Sequence, residues 1–209
     1  FLMKKVFLNP VIWILAITDL FVYIVRFAIL DWGPSMLDDM GLSKELTGWT
    51  VAIFEVAGCA GMLCAGYISD KFFKSRSQRV CAIEMGLVAA CLLGLHFLQD
   101  AQQPVLFLVL LALAGFFIYG PQALIGIAAA NQATKSAAAT ANGVTGIFGY
   151  LSTFVSGLGI GAMVDWVNKV NPGEGWNYVF LMMIAMAVVG MLIFMLMWRA
   201  KADGYDEQK

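Results

Sequence analysis

Val11-Ile12-Trp13-Ile14-Leu15-Ala16-Ile17-Thr18-Asp19-Leu20-Phe21-Val22-Tyr23-Ile24-Val25-Arg26-Phe27-Ala28-Ile29-Leu30 is an apolar run in which only Asp19 and Arg26 carry charge. Wound as an α-helix, a stretch of this length covers about 30 Å, the thickness of a bilayer's hydrocarbon core. In lipid every backbone polar group must be satisfied internally, which leaves helices and closed barrels. The run lacks strand alternation, so it reads as a membrane-spanning helix. A guanidinium keeps its proton wherever it sits, and holding it at membrane depth costs roughly 2.5 kcal/mol or more. Arg26 is therefore expected to face a cavity, a partner or an anion.

The bulk composition agrees. Hydrophobic residues make up 61% of the 209 and charged residues 13%, with mean hydropathy +0.80. Soluble domains hold about 45–50% apolar and about 25% charged residues. The net charge of −1 gives no basic surplus for nucleic acid. Cys59, Cys64, Cys81 and Cys91 fall inside apolar runs without CxxC spacing, so they read as buried free thiols rather than disulfides or metal ligands. The chain opens Phe1-Leu2-Met3-Lys4-Lys5 and reads as a fragment of a longer polypeptide. Its first span is too long and too charged inside for a signal peptide.

Five more runs follow, giving six predicted spans: Val11–Leu30, Thr50–Ile68, Val80–Leu98, Val105–Ala129, Ala137–Val164 and Tyr178–Trp198. Trp32-Gly33-Pro34 is expected to stop the first helix, with Asp38-Asp39-Met40-Gly41 as a polar loop. Asp100 to Pro104 forms an acidic turn, and Trp176 an interface anchor. With the N-terminus in the cytoplasm, Lys4, Lys5, Lys71, Lys74, Arg76, Arg79, Lys135, Arg199, Lys201 and Lys209 fall on that side. Only Lys44 and Lys169 fall opposite. The positive-inside rule thus puts both termini in the cytoplasm.

Helical spacing stacks Asp19, Tyr23 and Arg26 on one face, a stripe suited to a water-filled cavity that binds an anion. Two alternatives stay open: Arg26 snorkels toward an interface marked by Asp31 and Trp32, or it pairs with Asp19 or Asp31. Glu55, between Phe54 and Val56, needs a proton or a partner, and either titrates or bonds Arg26 when the site is empty. Glu84 lies closer to a cytoplasmic end and reads as a gate or an ion pair with Arg79 or Arg76. Asp165 reads as an interface residue.

Ala57, Gly61 and Ala65 form one row of small residues and Gly157 and Gly161 another, both suited to close helix approach. Gly157-Leu158-Gly159-Ile160-Gly161 lacks the strand and βαβ frame of a nucleotide site. In Tyr119-Gly120-Pro121 the proline removes a donor, so a kink is expected with Tyr119 beside it. Tyr150, next to Gly149, can reach a cavity with its hydroxyl. His96, the single histidine, reads as packing. No nucleophile set, metal cluster or phosphate-cradling loop is visible, so no enzyme activity, cofactor or metal is expected.

Taken together, Tyr23-Ile24-Val25-Arg26, Ile29-Leu30-Asp31-Trp32, Phe54-Glu55-Val56-Ala57-Gly58, Tyr119-Gly120-Pro121-Gln122-Ala123-Leu124-Ile125-Gly126 and Gly146-Ile147-Phe148-Gly149-Tyr150-Leu151 resemble the organophosphate:phosphate antiporters of the major facilitator superfamily. Glycerol-3-phosphate and hexose-phosphate transporters belong there. Gly66-Tyr67-Ile68-Ser69-Asp70-Lys71 through Arg76 also resembles that superfamily's loop between helices eight and nine. The likeness covers nearly the whole chain, residues 1–209, as helices seven to twelve of twelve. It implies an all-α, six-helix C-terminal half built from two three-helix inverted repeats, with the N-terminal half as partner.

By the same resemblance, Arg26 matches the helix-seven arginine that holds substrate phosphate, and a second arginine belongs to the other half. Tyr23, Tyr119 and Tyr150 match binding-site tyrosines, and Glu55 a carboxylate in charge balance. The expected function is exchange of an organic phosphate for inorganic phosphate across a bacterial inner membrane. The helix-eleven Asp and Lys of hexose-phosphate transporters are missing between Leu151 and Met163, which favours glycerol 3-phosphate or phosphoglycerate. A related membrane sensor of sugar phosphate is the alternative, left open by Gln122.

Overall fold

The computed structural model describes residues 2–39, 41–99 and 103–200. A short π-turn at Met3–Phe7 precedes six helices: α1 (Pro10–Asp39), α2 (Lys44–Phe73), α3 (Ser77–Leu98), α4 (Pro104–Gln132), α5 (Ala138–Val170) and α6 (Gly175–Leu196). All six are long and apolar enough to cross a membrane. The expected all-α, six-span architecture is therefore present. The Asp100–Gln102 part of the acidic turn, Met40, Lys201 and Lys209 lie outside the described residues.

The helix ends depart from expectation, and the first departure bears on the site. Trp32-Gly33-Pro34 does not stop α1, which runs on to Asp39 with Pro34 inside it and Asp38 and Asp39 still helical. Proline forfeits one backbone hydrogen bond, a loss a long helix tolerates close to its end. The actual stop is Gly41. At φ +81° it allows Gly41 N–H to reach the Asp38 carbonyl at 2.9 Å and Leu42 N–H the Leu37 carbonyl at 3.0 Å, a Schellman closure.

On the far side of that turn, Ser43 caps α2 by accepting from Leu46 N–H at 3.3 Å. The other end of α2 closes through Lys74 and Ser75, at φ 52° and 58°. Ser75 N–H returns to the Ser69 carbonyl at 3.0 Å and its hydroxyl to Asp70 Oδ1 at 2.8 Å. Helix α4 starts with Pro104 in its first turn, where the missing N–H has no intrahelical partner to lose. It continues unbroken through Pro121.

Packing places α4 between α2 and α3, α1 along α5, and α6 against α3. Small residues set these spacings. A Cβ on Gly115 would stand 2.6 Å from the Phe54 carbonyl, and one on Gly61 would collide with the Phe116 carbonyl. Helices α2 and α4 thus touch backbone to backbone. The contact row on α2 is Phe54, Gly58, Gly61 and Ala65, all buried, rotated slightly from the expected Ala57-Gly61-Ala65. On α5, a Cβ on Gly161 would stand 2.8 Å from the Trp32 ring, whereas Gly157 has open space around it and forms no such contact.

Two faces stay open. Most of the apolar stretch of α2 and of α5 is not buried, and Val56, Leu63, Ile147, Phe154 and Leu158 point outward. Cys59 and Cys64 share that exposed face of α2, so only Cys81 and Cys91 are the buried thiols expected; all four are free. His96 packs against Phe180. Trp176 is tied to α1 by a hydrogen bond from its indole N–H to Asp39 Oδ2 at 2.7 Å.

Candidate functional site

Arg26 lies roughly 24 Å along α1 from Pro10 and roughly 20 Å from Asp39, at 1.5 Å per residue. Because α1 continues past Trp32, the arginine is central in its helix, and its side chain turns to α2 and α4. Its side chain is 14% exposed. Nη2 donates to the Tyr119 hydroxyl at 2.7 Å and to Glu55 Oε1 at 3.3 Å. The guanidinium also lies 4.7 Å from the Tyr119 ring centroid and 5.1 Å from that of Phe27, within cation–π range.

Of the three acids weighed from the sequence, Glu55 is the one that pairs with Arg26, and Asp19 and Asp31 do not. Both protein hydrogen bonds use the same nitrogen. Nε is buried and without a partner. A guanidinium presents five N–H groups in a planar fork, so most of this one's donor capacity is unspent on protein.

Each partner is held by its own helix. Tyr119 rests on Gly58, where any Cβ would enter its ring. Phe54 meets the same ring edge-on, centroids 5.9 Å apart. Glu55 follows Phe54, and its carboxylate is 37% exposed, so the ion pair borders the open face of α2.

One turn below Arg26, Tyr23 tilts against Phe27 at 5.7 Å and lies 3.4 Å from the Cβ position of Gly149 on α5. Asp19, another turn down, is 4% exposed. It stands 3.2 Å from the same Gly149 position, and its Oδ1 has no partner. The stripe read from spacing exists, yet its lower end is packed against α5.

Tyr150 is 80% exposed and makes no hydrogen bond among the described residues. It stands outside the Arg26 cluster. Glu84 corrects the reading further. It is 6% exposed, Oε2 has no partner, and no ion pair to Arg79 or Arg76 forms. Arg79 turns instead to the Trp198 carbonyl at 3.2 Å and to that indole's face. Asp165 is exposed, in keeping with an interface position. Gly58, the bed of Tyr119, was missed as a site residue. Its signal was the Phe54, Gly58, Gly61, Ala65 spacing, one step away from the row chosen.

Six helices long and apolar enough to cross a membrane, with a paired and incompletely saturated arginine midway along the first, define an integral membrane bundle with a buried charge between its helices. The model of the Major Facilitator Superfamily matches residues 2–157, and the chain belongs to that family. It is 36% identical over 200 residues to the glycerol-3-phosphate transporter of Bacillus subtilis, covering 94% of this chain and 43% of that protein. It is 34% identical over 192 residues to the hexose-6-phosphate:phosphate antiporter of Salmonella typhimurium, 90% of this chain and 40% of the relative. To the membrane sensor protein UhpC of Escherichia coli it is 36% identical over 168 residues, 78% and 37% respectively. The chain thus spans less than half the length of these relatives.

Proposed function

We propose that this chain is the C-terminal half, helices seven to twelve, of an exchanger that carries an organic phosphate one way and inorganic phosphate the other. The observation that carries the reading is Arg26. A permanent charge at mid-helix holds one carboxylate through a single nitrogen and keeps the rest of its donor fork unspent. A phosphate head group is the natural second ligand, because its oxygens match the fork bidentately. The names of the relatives, glycerol-3-phosphate transporter and hexose-6-phosphate:phosphate antiporter, agree in that head group.

In this account Glu55 occupies Arg26 while the site is empty and yields it when phosphate arrives, so the guanidinium is never left uncompensated. Tyr119 steadies the arginine and offers its hydroxyl to a phosphate oxygen. Tyr23 and Tyr150 line the approach from α1 and α5. The open faces of α2 and α5 receive the N-terminal half, whose own arginine completes the clamp. Inorganic phosphate and a phosphate ester share the head group, so one site between the two halves serves both by alternating access. Both termini lie in the cytoplasm in this reading, which the charge distribution supports, and the membrane is a bacterial inner membrane, in keeping with the bacterial relatives. Glycerol 3-phosphate or phosphoglycerate is the favoured ester. No catalytic step and no cofactor are assigned.

Proteoliposomes holding the full-length protein and loaded with inorganic phosphate test this. Uptake of labelled glycerol 3-phosphate that depends on internal phosphate is expected. Ligand binding without exchange would point to the sensor function that the UhpC relative carries in its name.

A further inference from the structure

The Glu84 carboxyl fills the notch left by the missing side chain of Gly120. A Cβ there would fall on Oε2 and stand 2.7 Å from Oε1. The next residue is Pro121, inside α4. Having no N–H, it cannot supply the hydrogen bond that the carbonyl four residues back, on Phe117, would otherwise receive. In a helix, a hydroxyl one atom beyond the Cβ reaches the carbonyls three and four residues earlier, which from position 120 are Phe117 and Phe116. The Phe116 carbonyl faces Gly61 of α2. The Phe117 carbonyl is the one left without its donor.

The Glu84 carboxyl, whose Oε2 has no partner, therefore sits on the turn whose Phe117 carbonyl has lost the Pro121 N–H. An ionised carboxylate would leave both unpaired and add an uncompensated charge. A neutral carboxylic acid resolves the two together, because its O–H donates.

We propose that Glu84 is a positioning residue, held as a neutral acid whose hydroxyl bonds the Phe117 carbonyl and so fixes the Tyr119-Gly120-Pro121 turn that aims Tyr119 at Arg26. The surroundings support the neutral form. On α3, Cys81 is a buried thiol, and Arg79 is engaged by Trp198. From α1, Asp19 brings another acid, and from α4, Tyr119 brings a phenol already committed to Arg26. Helix α6 presents Met191 to Gly86 and has only Tyr178, at its far end, as a titratable side chain. No cation faces Glu84 among the described residues.

For its binding readout the proposal rests on the phosphate-site reading; for its chemistry it does not. In the purified full-length protein at neutral pH, the infrared difference between the parent and E84Q is expected to show the band of a protonated carboxylic acid, with any Asp19 band common to both cancelling. Inorganic phosphate binding in E84Q, whose amide N–H still donates to Phe117, stays within about threefold of the parent. Binding in E84M, which fills the space without a donor, weakens about tenfold or more. Absence of that band from the parent-minus-E84Q difference, or E84Q and E84M weakening phosphate binding equally, overturns the proposal. Failure of the parent to bind phosphate at all would sink the phosphate site while leaving the infrared result to judge Glu84.

Discussion

Arg26 and Glu84 are both ionisable residues placed in apolar helices, and the bundle treats them in opposite ways. Arg26 is given a carboxylate, a phenol and two aromatic faces. Glu84 is given a glycine notch and, among the described residues, no cation. The difference follows from chemistry. A guanidinium cannot shed its charge, so its helix must bring it partners, whereas a carboxyl can keep its proton and enter a site with none. In the proposed reading the paired charge with spare donors is the ligand site, and the unpaired acid set beside Pro121, which lacks an N–H, is the structural device. Asp19, buried against Gly149 with an orphaned oxygen, falls with Glu84 rather than with Arg26.

The comparison can be broken most severely at Gly58. G58A drives a methyl into the Tyr119 ring, where α2 and α4 already touch through Gly61 and Gly115. Such overpacking costs about 1–3 kcal/mol and shifts the hydroxyl off Arg26. Thermal unfolding of the purified full-length protein is expected to show the loss, with weakened phosphate binding beside it. Unchanged values for both would mean that Tyr119 does not depend on its bed.

A milder test is Y119F, which keeps the ring under the guanidinium and removes only the hydroxyl. A hydrogen bond to a charged group contributes about 1.5–3 kcal/mol, so calorimetric phosphate affinity is expected to fall at least roughly tenfold with little change in stability. Smallest is D19N. If Asp19 is an uncharged packing acid, its amide counterpart changes phosphate affinity by less than about threefold. A loss as large as that of Y119F would move Asp19 into the ligand site and erase the distinction drawn between the two regions.

The six spans were legible because twenty-residue apolar runs have only one use in lipid, and the same energetics singled out Arg26 and Glu55. The end of α1 was not. Gly33-Pro34 is the stronger stop signal in a soluble helix, but Gly41 carries the left-handed turn that satisfies the last carbonyls. That misreading also kept the snorkelling alternative alive, since it set an interface close to Arg26. Which of the three acids named for Arg26, Asp19, Asp31 or Glu55, makes the pair was left open. Asp19 and Asp31 are neighbours in sequence, while Glu55 arrives only once α2 and α4 have packed through their glycines. Spacing along one helix fixes which residues share a face; the rotation of the neighbouring helix decides what that face meets. Glu84 shows the same limit: its pairing with Arg79 was plausible along the chain, but the bundle turns the two apart.

The central claim is that the Arg26 fork holds phosphate. Calorimetric titration of inorganic phosphate into the full-length R26K protein addresses it directly, because lysine keeps the charge and loses the bidentate geometry. The account predicts affinity at least roughly tenfold weaker than the parent. Undiminished binding in R26K would contradict it.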